Sequence, residues 1–286
     1  MILLDLNQVM ISNLMMQLGN NYNQLEEDLV RHMVLNSIRL YRNKFKDYGE
    51  LVICCDDKNY WRKDIFPYYK GHRKADREKS DLDWSMLFEC LNKIRDELKE
   101  NFPYKVIQVD RAEADDIIGV LCQRFGTTLN NEASEKILIL SGDKDFAQLQ
   151  KFANVEQFSP ITKKWVRVAN PERFLKEHIL KGDRGDGVPN FLSNDACIIN
   201  KERQKPLASK KLEVWVDEDP EMFCNDVQIR NWHRNNQMVN LDMIPKEYKV
   251  AINESYDGYV VPERKGLLNY FIKNKLKLLT EHIGEF

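Results

Sequence analysis

The stretch Ile137-Leu138-Ile139-Leu140-Ser141-Gly142-Asp143-Lys144-Asp145 decides the fold class of this 286-residue chain. Its first four residues are all apolar, which is typical of a strand buried on both faces of a parallel sheet. The glycine permits a turn, and the residues from Asp145 onward predict a helix. Ligands of open α/β sheets bind at the carboxyl ends of the strands, so both aspartates are predicted to lie at the functional edge. A single aspartate there could equally be a helix N-cap, so the pair gains weight only if other acids join it.

Acidic residues also follow the other predicted strands. The strand Ile2–Leu6 contains Asp5, and the strand Leu51–Cys55 runs into Asp56. The strand Tyr104–Val109 precedes an acidic helix start, and a glycine-rich turn carries two more acids. Buried acids are costly unless they are paired or bound to a metal, although acids in a first helical turn also complement the helix dipole. The candidate metal ligands are Asp5, Asp56, Glu113, Asp115, Asp116, Asp143, Asp145, Asp183 and Asp186.

So many carboxylates cannot stay ionised in one small site, because like charges at a few ångströms raise each other's pKa. Divalent cations remove that repulsion. Two such ions about 3.5–4 Å apart can activate a water and stabilise the leaving oxygen of a phosphoryl displacement. The five histidines lack paired metal-ligand spacing, so we expect oxygen ligands and therefore magnesium or manganese.

A basic and aromatic segment lies between Lys58 and Lys79. Basic residues neutralise phosphates and aromatic rings stack on bases, so this composition favours binding of a nucleic-acid strand. The segment has few acids of its own, so we expect an anionic strand to order it; the alternative is a solvated basic helix with a few core aromatics. The candidate nucleic-acid-binding residues here and further along the chain are Arg62, Lys63, Lys70, Arg73, Lys74, Arg184, Lys210 and Lys211.

Composition limits the cellular setting. The chain has 43 basic and 45 acidic residues, so its net charge of −2 says nothing about nucleic acid. Six cysteines without Cys-x-x-Cys spacing predict a reduced, cytoplasmic protein without structural zinc, in the host cytoplasm if a phage encodes it. No run of about eighteen apolar residues is present, so no contact with a membrane is expected.

The remaining pattern predicts two domains. A long helix is expected over Gln24–Tyr48, and the α/β pattern continues to a helix over Pro171–Leu180. Beyond it, helical stretches at Gln228–Leu241 and Lys265–Ile283 are interrupted by prolines. We therefore predict an α/β domain over 1–181, with the basic segment at 58–81, and a mostly helical domain over 182–286.

The acids, taken in order, resemble a known family. Asp5, Asp56, Glu113-Ala114-Asp115-Asp116, Ser141-Gly142-Asp143-Lys144-Asp145 and the turn from Gly182-Asp183-Arg184 to Val188-Pro189 are similar to the motifs of the structure-specific 5′-nucleases. This family includes flap endonucleases and the 5′-nuclease domain of bacterial DNA polymerase I. Trp61-Arg62-Lys63-Asp64 and Asp242-Met243-Ile244-Pro245 most resemble its T-even bacteriophage RNase H members. The likeness covers nearly the whole chain.

The resemblance implies a PIN-like α/β fold: a central, mostly parallel twisted sheet flanked by helices, a basic arch over 58–81, and a helix-three-turn-helix element in the helical domain. It implies a monomeric 5′-to-3′ exonuclease and flap endonuclease that removes lagging-strand primers from RNA–DNA and DNA duplexes with two Mg²⁺ ions, for which Mn²⁺ substitutes. By position, the acids from Asp5 to Asp143 surround the first ion, and Asp145, Asp183 and Asp186 serve the second. Lys70 and Arg73 match the arch residues near the scissile phosphate, and Asp116 and Asp143 join them as catalytic residues.

One departure and two alternatives accompany this interpretation. After Pro189 the family usually continues with glycines that approach the duplex, whereas Asn190-Phe191-Leu192 stand here, so contact with the duplex at this turn is in doubt. A haloacid-dehalogenase-type phosphatase would also begin with a strand ending in an acid, but position 7 is asparagine. A non-catalytic nucleic-acid-binding module is the other alternative. Partners expected from the role are a replicative single-strand-binding protein and a sliding clamp.

Overall fold

A computed structural model describes residues 1–18, 26–127 and 135–286. One six-stranded sheet with the order β3-β2-β1-β4-β5-β6 forms its centre, and only β6 runs antiparallel to its neighbour. The strands are β1 (Ile2–Asp5), β2 (Leu51–Cys54), β3 (Lys105–Ile107), β4 (Ile137–Leu140), β5 (Val155–Ser159) and β6 (Lys164–Val166). The predicted mostly parallel sheet is confirmed.

The described residues contain thirteen α-helices and several 3₁₀ turns. The α-helices are α1 (Leu6–Leu18), α2 (Glu27–Lys44), α3 (Arg62–Ile65), α4 (His72–Arg77), α5 (Trp84–Asn101), α6 (Ala114–Phe125), α7 (Pro171–Lys181), α8 (Ser209–Trp215), α9 (Pro220–Phe223), α10 (Asp226–Val239), α11 (Lys246–Asp257), α12 (Leu267–Lys273) and α13 (Lys277–Thr280). The 3₁₀ helices span Lys46–Tyr48, Lys144–Lys151, Leu241–Met243, Arg264–Gly266 and Ile283–Glu285. None of the described helices is long and apolar enough to cross a membrane.

Several helix predictions need correction. Helix α1 was not predicted, because its residues carry no charge and no clear amphipathic period. The predicted helix at Gln24–Tyr48 is α2 followed by a 3₁₀ turn, and its first two residues lie outside the described part. The predicted helix at Lys265–Ile283 is broken into short helices, with Lys275 at a φ of 54° between α12 and α13. A residue in the left-handed backbone conformation ends a helix, and a lysine in the sequence does not indicate that conformation.

The sheet is buried on both faces. Leu4 and Ile53 face a core formed with α1, α2 and α5, whereas Leu3 and Val52 face a core formed with α6 and α11. The strands β1, β2 and β4 are buried along their whole length, as their apolar sequences predict, whereas the edge strand β6 is mostly exposed. This close packing places the strand ends, and the acids that follow them, at fixed positions.

The last 46 residues return to the sheet. Ile244, Ile252 and Tyr256 join one core, and Phe271 and the terminal Phe286 join the other. Separate small cores lie around α7 and α10 and around α8. The hydrophobic cores therefore do not separate at the predicted boundary between residues 181 and 182, because the segment after α10 packs against the α/β part.

Helix α10 supports the turns that follow α7. Asn235 donates to the carbonyl oxygens of Ile179 and Pro189, and Asn231 donates to those of Phe191 and Ser193. Turns at 184–187 and 195–201 separate α7 from α8 in the region where the helix-three-turn-helix element is expected. Phe191 is fully buried, so at the position of the expected glycines the side chain contributes to a core.

Candidate metal centre and nucleic-acid interface

A cavity of about 380 Å³ opens where the carboxyl ends of the central strands meet. Strands β1 and β4 are neighbours in space, but the chain leaves them toward opposite edges of the sheet, which is the position where α/β folds bind ligands. The acids that line the cavity come from five chain segments: Asp5, Asp56, Asp115, Asp143 and Asp186. The structure therefore brings together five of the nine predicted metal ligands, with Lys70 and Arg73 on the same wall.

Two of these acids are held by neighbouring donors. Asp5, the last residue of β1, accepts from the Gln8 N–H at 3.1 Å and from the Ser141 hydroxyl at 3.2 Å. Asp56 follows β2 and accepts from the Ala114 N–H at the start of α6 at 2.8 Å. Its second oxygen accepts from the Asn7 amide at 2.8 Å. Asn7 thus positions a carboxylate, and it provides no acid at the position where the phosphatase class has its second one.

The loop after β4 presents Asp143. Its carboxylate accepts from the Asp145 N–H at 3.0 Å, so Asp143 caps the 3₁₀ helix while it also lines the cavity. Gln157 of β5 donates to the carbonyl oxygens of Ser141 and Asp143 and fixes the loop from behind. The helix-cap alternative therefore holds for Asp143, and the same side chain also lines the cavity with the other predicted ligands.

The cavity concentrates negative charge. Burial and then the nearby Asp56 raise the pKa of Asp5 to about 7, and burial and then Asp145 raise the pKa of Asp143 to about 6. Burial also raises the pKa of Asp56, and burial and then Asp143 raise that of Asp115. Four carboxylates that are hard to ionise together form a site whose charge a divalent cation would balance.

The basic segment 58–81 is paired to this acidic site. Lys70 Nζ lies 2.5 Å from Glu113 Oε1, and Arg73 lies 2.5 Å from Asp186 Oδ1. Burial opposes the charge of Glu113 and Asp186, but the pKa of each is lowered because nearby cations, Lys70 foremost, outweigh that effect. The segment has few acids of its own, but Lys70 and Arg73 pair with acids that are distant in sequence. Lys70 itself has a φ of 54°, held by a bond from its N–H to the Asp186 carbonyl at 2.7 Å.

A second group of ligands lies behind the cavity. It consists of Asp145, Asp183 and His178, whose ligand atoms all lie within 4.8 Å of one another. His178 is buried on α7 and was not predicted, because the search for paired histidines in sequence cannot find a single histidine that folding brings to two acids. The expectation of oxygen ligands alone therefore does not describe this group.

Two family profiles match the sequence. The profile for the 5′–3′ exonuclease N-terminal resolvase-like domain matches residues 8–178, and the profile for the T4 RNase H C-terminal domain matches residues 170–286. The chain belongs to the 5′–3′ exonuclease family. The predicted family is thereby confirmed, and the enzyme class is that of a nuclease, a phosphodiester hydrolase.

Named relatives of this 5′–3′ exonuclease family agree with the profiles. Ribonuclease H of Enterobacteria phage T4 is 34% identical over 295 residues, which covers 99% of this chain and 95% of the relative. A 5′-3′ exonuclease of Buchnera aphidicola is 28% identical and covers 59% of this chain and 58% of its own. A solved structure of bacteriophage T5 flap endonuclease with DNA and metal ions superposes with a TM-score of 0.59 at 16% identity, covering 97% of this chain and 98% of that one. This last similarity concerns the fold and confirms the predicted fold class.

Two residues that the sequence analysis assigned to the site are buried in the interior of this family member. Arg62 was predicted to bind nucleic acid, but its side chain is buried and bonds to Glu113 at 2.7 Å and to Asp116 at 2.8 Å. Asp116 was predicted as a catalytic and metal-binding residue, but it is fully buried. Its two oxygens accept from Arg62, from the Trp61 indole N–H and from the Glu113 N–H. With both oxygens occupied, Asp116 positions the start of α6 instead of facing the cavity.

The other predicted basic residues are on the surface of the nuclease. Lys63, Lys74, Arg184, Lys210 and Lys211 are exposed. Arg184 lines a groove of about 1020 Å³ between α4 and the turns after α7, together with Lys79, Lys201 and Arg203. Lys201 and Arg203 were not predicted, because they come from a stretch without aromatic residues, whereas Lys79 ends the basic segment. The groove also contains the acids Asp76 and Glu202, and its four cations connect the basic segment with the helical part.

Proposed function

We propose that this nuclease removes RNA primers during lagging-strand replication, as a 5′-to-3′ exonuclease and flap endonuclease on RNA–DNA and DNA duplexes. The observation that carries the proposal is the convergence of five acids from five chain segments on one cavity that also contains Lys70 and Arg73. Acids of that arrangement bind hard cations, and cations beside them bind a phosphate. The names of the relatives, a ribonuclease H and 5′-3′ exonucleases, support the choice of substrate.

The chain's own residues have distinct tasks in this proposal. Asp5, Asp56, Asp115 and Asp143 would hold the first of two Mg²⁺ ions, for which Mn²⁺ would substitute, and the donors behind Asp5 and Asp56 set the direction of their oxygens. Bound divalent ions supply a nucleophilic water and stabilise the charge of the leaving oxygen. The raised pKa values of the cavity acids support this assignment, because a bound cation is the simplest way to ionise them together.

Lys70 and Arg73 bind the scissile phosphate in this proposal. Both now contact acids, Glu113 and Asp186, so phosphate oxygens would compete with carboxylates for the same cations. The position of Lys70 is defined by its backbone bond to Asp186, which places the ammonium group at the cavity wall. Preorganised cations of this kind stabilise charge that develops in the transition state.

The duplex is proposed to follow the basic groove. Lys79, Arg184, Lys201 and Arg203 form a positive path from the cavity side of α4 toward the helical part. The predicted division, with residues 1–181 carrying the metal site and 182–286 the duplex contacts, is kept as part of this proposal. The structure of a related flap endonuclease with DNA and metal ions supports a nucleic-acid substrate.

Partners and cellular setting belong to the same proposal. A replicative single-strand-binding protein and a sliding clamp are the expected partners of a monomeric enzyme that processes 5′ ends. Cytoplasmic localisation, in the host if a phage encodes the chain, is supported by six cysteines that all remain free. A non-catalytic binding module is less well supported, because such a module has no need for acids that converge on one cavity.

Cleavage of a 5′-labelled flap duplex and of a nicked RNA–DNA duplex tests the function. We expect short 5′ products that require Mg²⁺ or Mn²⁺, and Asp143→Asn should abolish them while changing DNA affinity by no more than a few-fold. The exposed acid Asp64, which lies in the basic segment, provides the control variant Asp64→Asn. Absence of products from the wild-type protein on both substrates would contradict the proposal, and cleavage by Asp143→Asn near the wild-type rate would remove that residue from the site.

A further inference from the structure

The group formed by Asp145, His178 and Asp183 combines three separate elements. Asp145 lies in the 3₁₀ helix after β4, His178 lies in the last turn of α7, and Asp183 follows the glycine that ends that helix. All three are buried. The group therefore brings a nitrogen ligand to two oxygen ligands inside the protein, beside the cavity that the other acids line.

Two atoms of this group have no hydrogen-bond partner among the described residues. His178 Nε2 lies 2.9 Å from Asp145 Oδ1, yet both atoms are buried and neither makes a hydrogen bond. A buried polar atom without a hydrogen-bond partner destabilises the folded protein. An ion pair would align the two atoms with each other. Two atoms that are close but not hydrogen-bonded to each other are instead placed to share a third partner.

The separations fit a single ion. Two atoms bound at about 2.1 Å to one cation lie about 3.0 Å apart in octahedral geometry and about 3.4 Å apart in tetrahedral geometry. His178 Nε2 is 2.9 Å from Asp145 Oδ1 and 3.6 Å from Asp183 Oδ2. These distances bracket the expected values, so the three side chains need only small movements to bind one ion.

The surroundings hold the ligands in place. The His178 ring stacks on Phe174 with ring centres 5.9 Å apart. Gly182 donates its N–H to the His178 carbonyl and has a φ of 66°, and a Cβ there would lie 2.5 Å from the Val188 carbonyl oxygen, so glycine is required to place Asp183. Asp183 Oδ1 accepts from the backbone of the following turn, which leaves Oδ2 toward the group.

Asp145 and Asp183 are already expected at the second divalent ion from the family resemblance; we propose that His178 joins them as a nitrogen ligand and makes this position select a transition metal ion over Mg²⁺. Imidazole nitrogen suits Zn²⁺ and similar ions, whereas Mg²⁺ prefers oxygen ligands. Lys144 Nζ lies 3.0 Å from Asp183 Oδ2 and would move away when the ion binds. The inference rests on the second ion of the proposed function, but it is tested by binding and not by turnover.

Nitrogen NMR of ¹⁵N-histidine-labelled protein reports ligation directly. The chain has five histidines, and His178→Gln identifies the resonance of interest. Addition of Zn²⁺ should move the Nε2 resonance of His178 to the metal-bound position, and addition of Mg²⁺ should leave it unchanged. A His178 resonance that does not move when Zn²⁺ saturates the protein would overturn the proposal.

Calorimetric titration gives the selectivity. His178→Gln should weaken the tightest Zn²⁺ site by about tenfold or more and should change Mg²⁺ affinity by less than about threefold, because only the nitrogen ligand is removed. His282→Gln is the matched control, since His282 forms an exposed pair with Glu285 at 3.1 Å and should affect neither ion. An equal decrease of Zn²⁺ and Mg²⁺ affinity in His178→Gln would reduce the histidine to a structural role and overturn the selectivity.

The two proposals fail separately. If His178 is not a ligand, the wild-type protein still cleaves flap substrates with Mg²⁺ and Asp143→Asn still does not. If the protein is not a nuclease, no product forms with any ion, while the Zn²⁺-dependent shift of the His178 resonance is still seen. An ordinary ion pair between His178 and Asp145 would lower the melting temperature of metal-free His178→Gln without changing ion affinity, which would overturn the proposal.

Discussion

Replacement of Arg62 by alanine should destabilise the protein strongly and leave direct DNA contacts intact. The guanidinium is 2% exposed and donates four hydrogen bonds: to Glu113, twice to Asp116, and to the Met238 carbonyl oxygen. Removing one partner of a buried ion pair costs about 3–5 kcal/mol, because the remaining charge stays buried without compensation. Arg62 is thus the cation that holds the start of α6 in place.

The structure places the cost at the lower end of that range. Without Arg62, Asp116 keeps the Trp61 indole N–H and the Glu113 N–H, and Glu113 keeps Lys70 and the Tyr69 hydroxyl. A destabilisation of about 3 kcal/mol corresponds to a fall in melting temperature of roughly 6–12 °C for a chain of this size. Arg62→Lys should lie between the wild type and Arg62→Ala, because lysine keeps the charge but cannot form the paired bonds of the guanidinium.

Thermal denaturation and DNA binding together check this prediction. Lys63 is the matched control, since it is adjacent and exposed, and Lys63→Ala should change the melting temperature by no more than about 2 °C. Binding of a flap duplex in Ca²⁺ should weaken in Lys63→Ala more than in folded Arg62→Lys. A stable Arg62→Ala with reduced DNA affinity would refute the reasoning and restore the contact with nucleic acid that the sequence predicts.

Three further predictions concern charge. Lys70→Ala should lower the single-turnover cleavage rate at saturating DNA by about a hundredfold, and by more than it weakens binding, because the transition state is deprived of a preorganised cation. Alanine at both Lys201 and Arg203 should reduce the slope of log affinity against log salt by about 0.7–0.9 for each phosphate that is no longer neutralised. Without metal, the raised pKa values of Asp5 and Asp143, about 7 and about 6, mean that the folded state holds protons more tightly than the unfolded chain. The free energy of unfolding should therefore fall as the pH rises from about 4 to about 7, and saturating Mg²⁺ should remove that fall.

Each of these has a result that would contradict it. An effect of Lys70→Ala on affinity alone would make the lysine a binding residue without a part in the chemical step. A salt slope that the double variant leaves unchanged would place the duplex away from the groove. A metal-free protein that becomes more stable between pH 4 and 7 would show that the cavity acids are ionised in the folded state. Asp5→Asn, measured over the same range, should make the pH dependence shallower, because one of the cavity carboxylates with a raised pKa is gone.

Acids at strand ends were predictable because their cause is local. An apolar run predicts a buried strand, parallel strands share a carboxyl edge, and an acid directly after the run lies at that edge. Asp5, Asp56 and Asp143 follow this rule, and all three line the cavity. The same reasoning also predicted the centre of the sheet, where β1, β2 and β4 are buried as their apolar runs suggest.

Partners that are distant in sequence were not predictable in this way. Arg62 has the surroundings of a DNA-binding residue in sequence, with lysine and aromatic neighbours, but Glu113 and Asp116 lie more than fifty positions away and remove it from the surface. Asp116 likewise resembles a metal ligand in sequence. One residue along α6 makes the difference, because Asp115 faces the cavity while Asp116 faces the interior. Adjacent residues of a helix are rotated by about 100°, so Asp115 and Asp116 point in different directions.

The candidate metal site of this nuclease thus contains two kinds of acids, and they differ in what their carboxylate oxygens contact. Four of the five that line the cavity, Asp5, Asp56, Asp115 and Asp143, have raised pKa values because they are buried close to other acids, and a bound cation would favour their ionised forms. Glu113 and Asp186 are instead paired with Lys70 and Arg73, and their pKa values fall. A phosphate that binds Lys70 and Arg73 would free the carboxylates of Glu113 and Asp186. Their negative charge would then strengthen the binding of divalent ions nearby. Binding of the substrate should therefore raise the affinity for the divalent ions, and binding of the ions should raise the affinity for the substrate by the same factor.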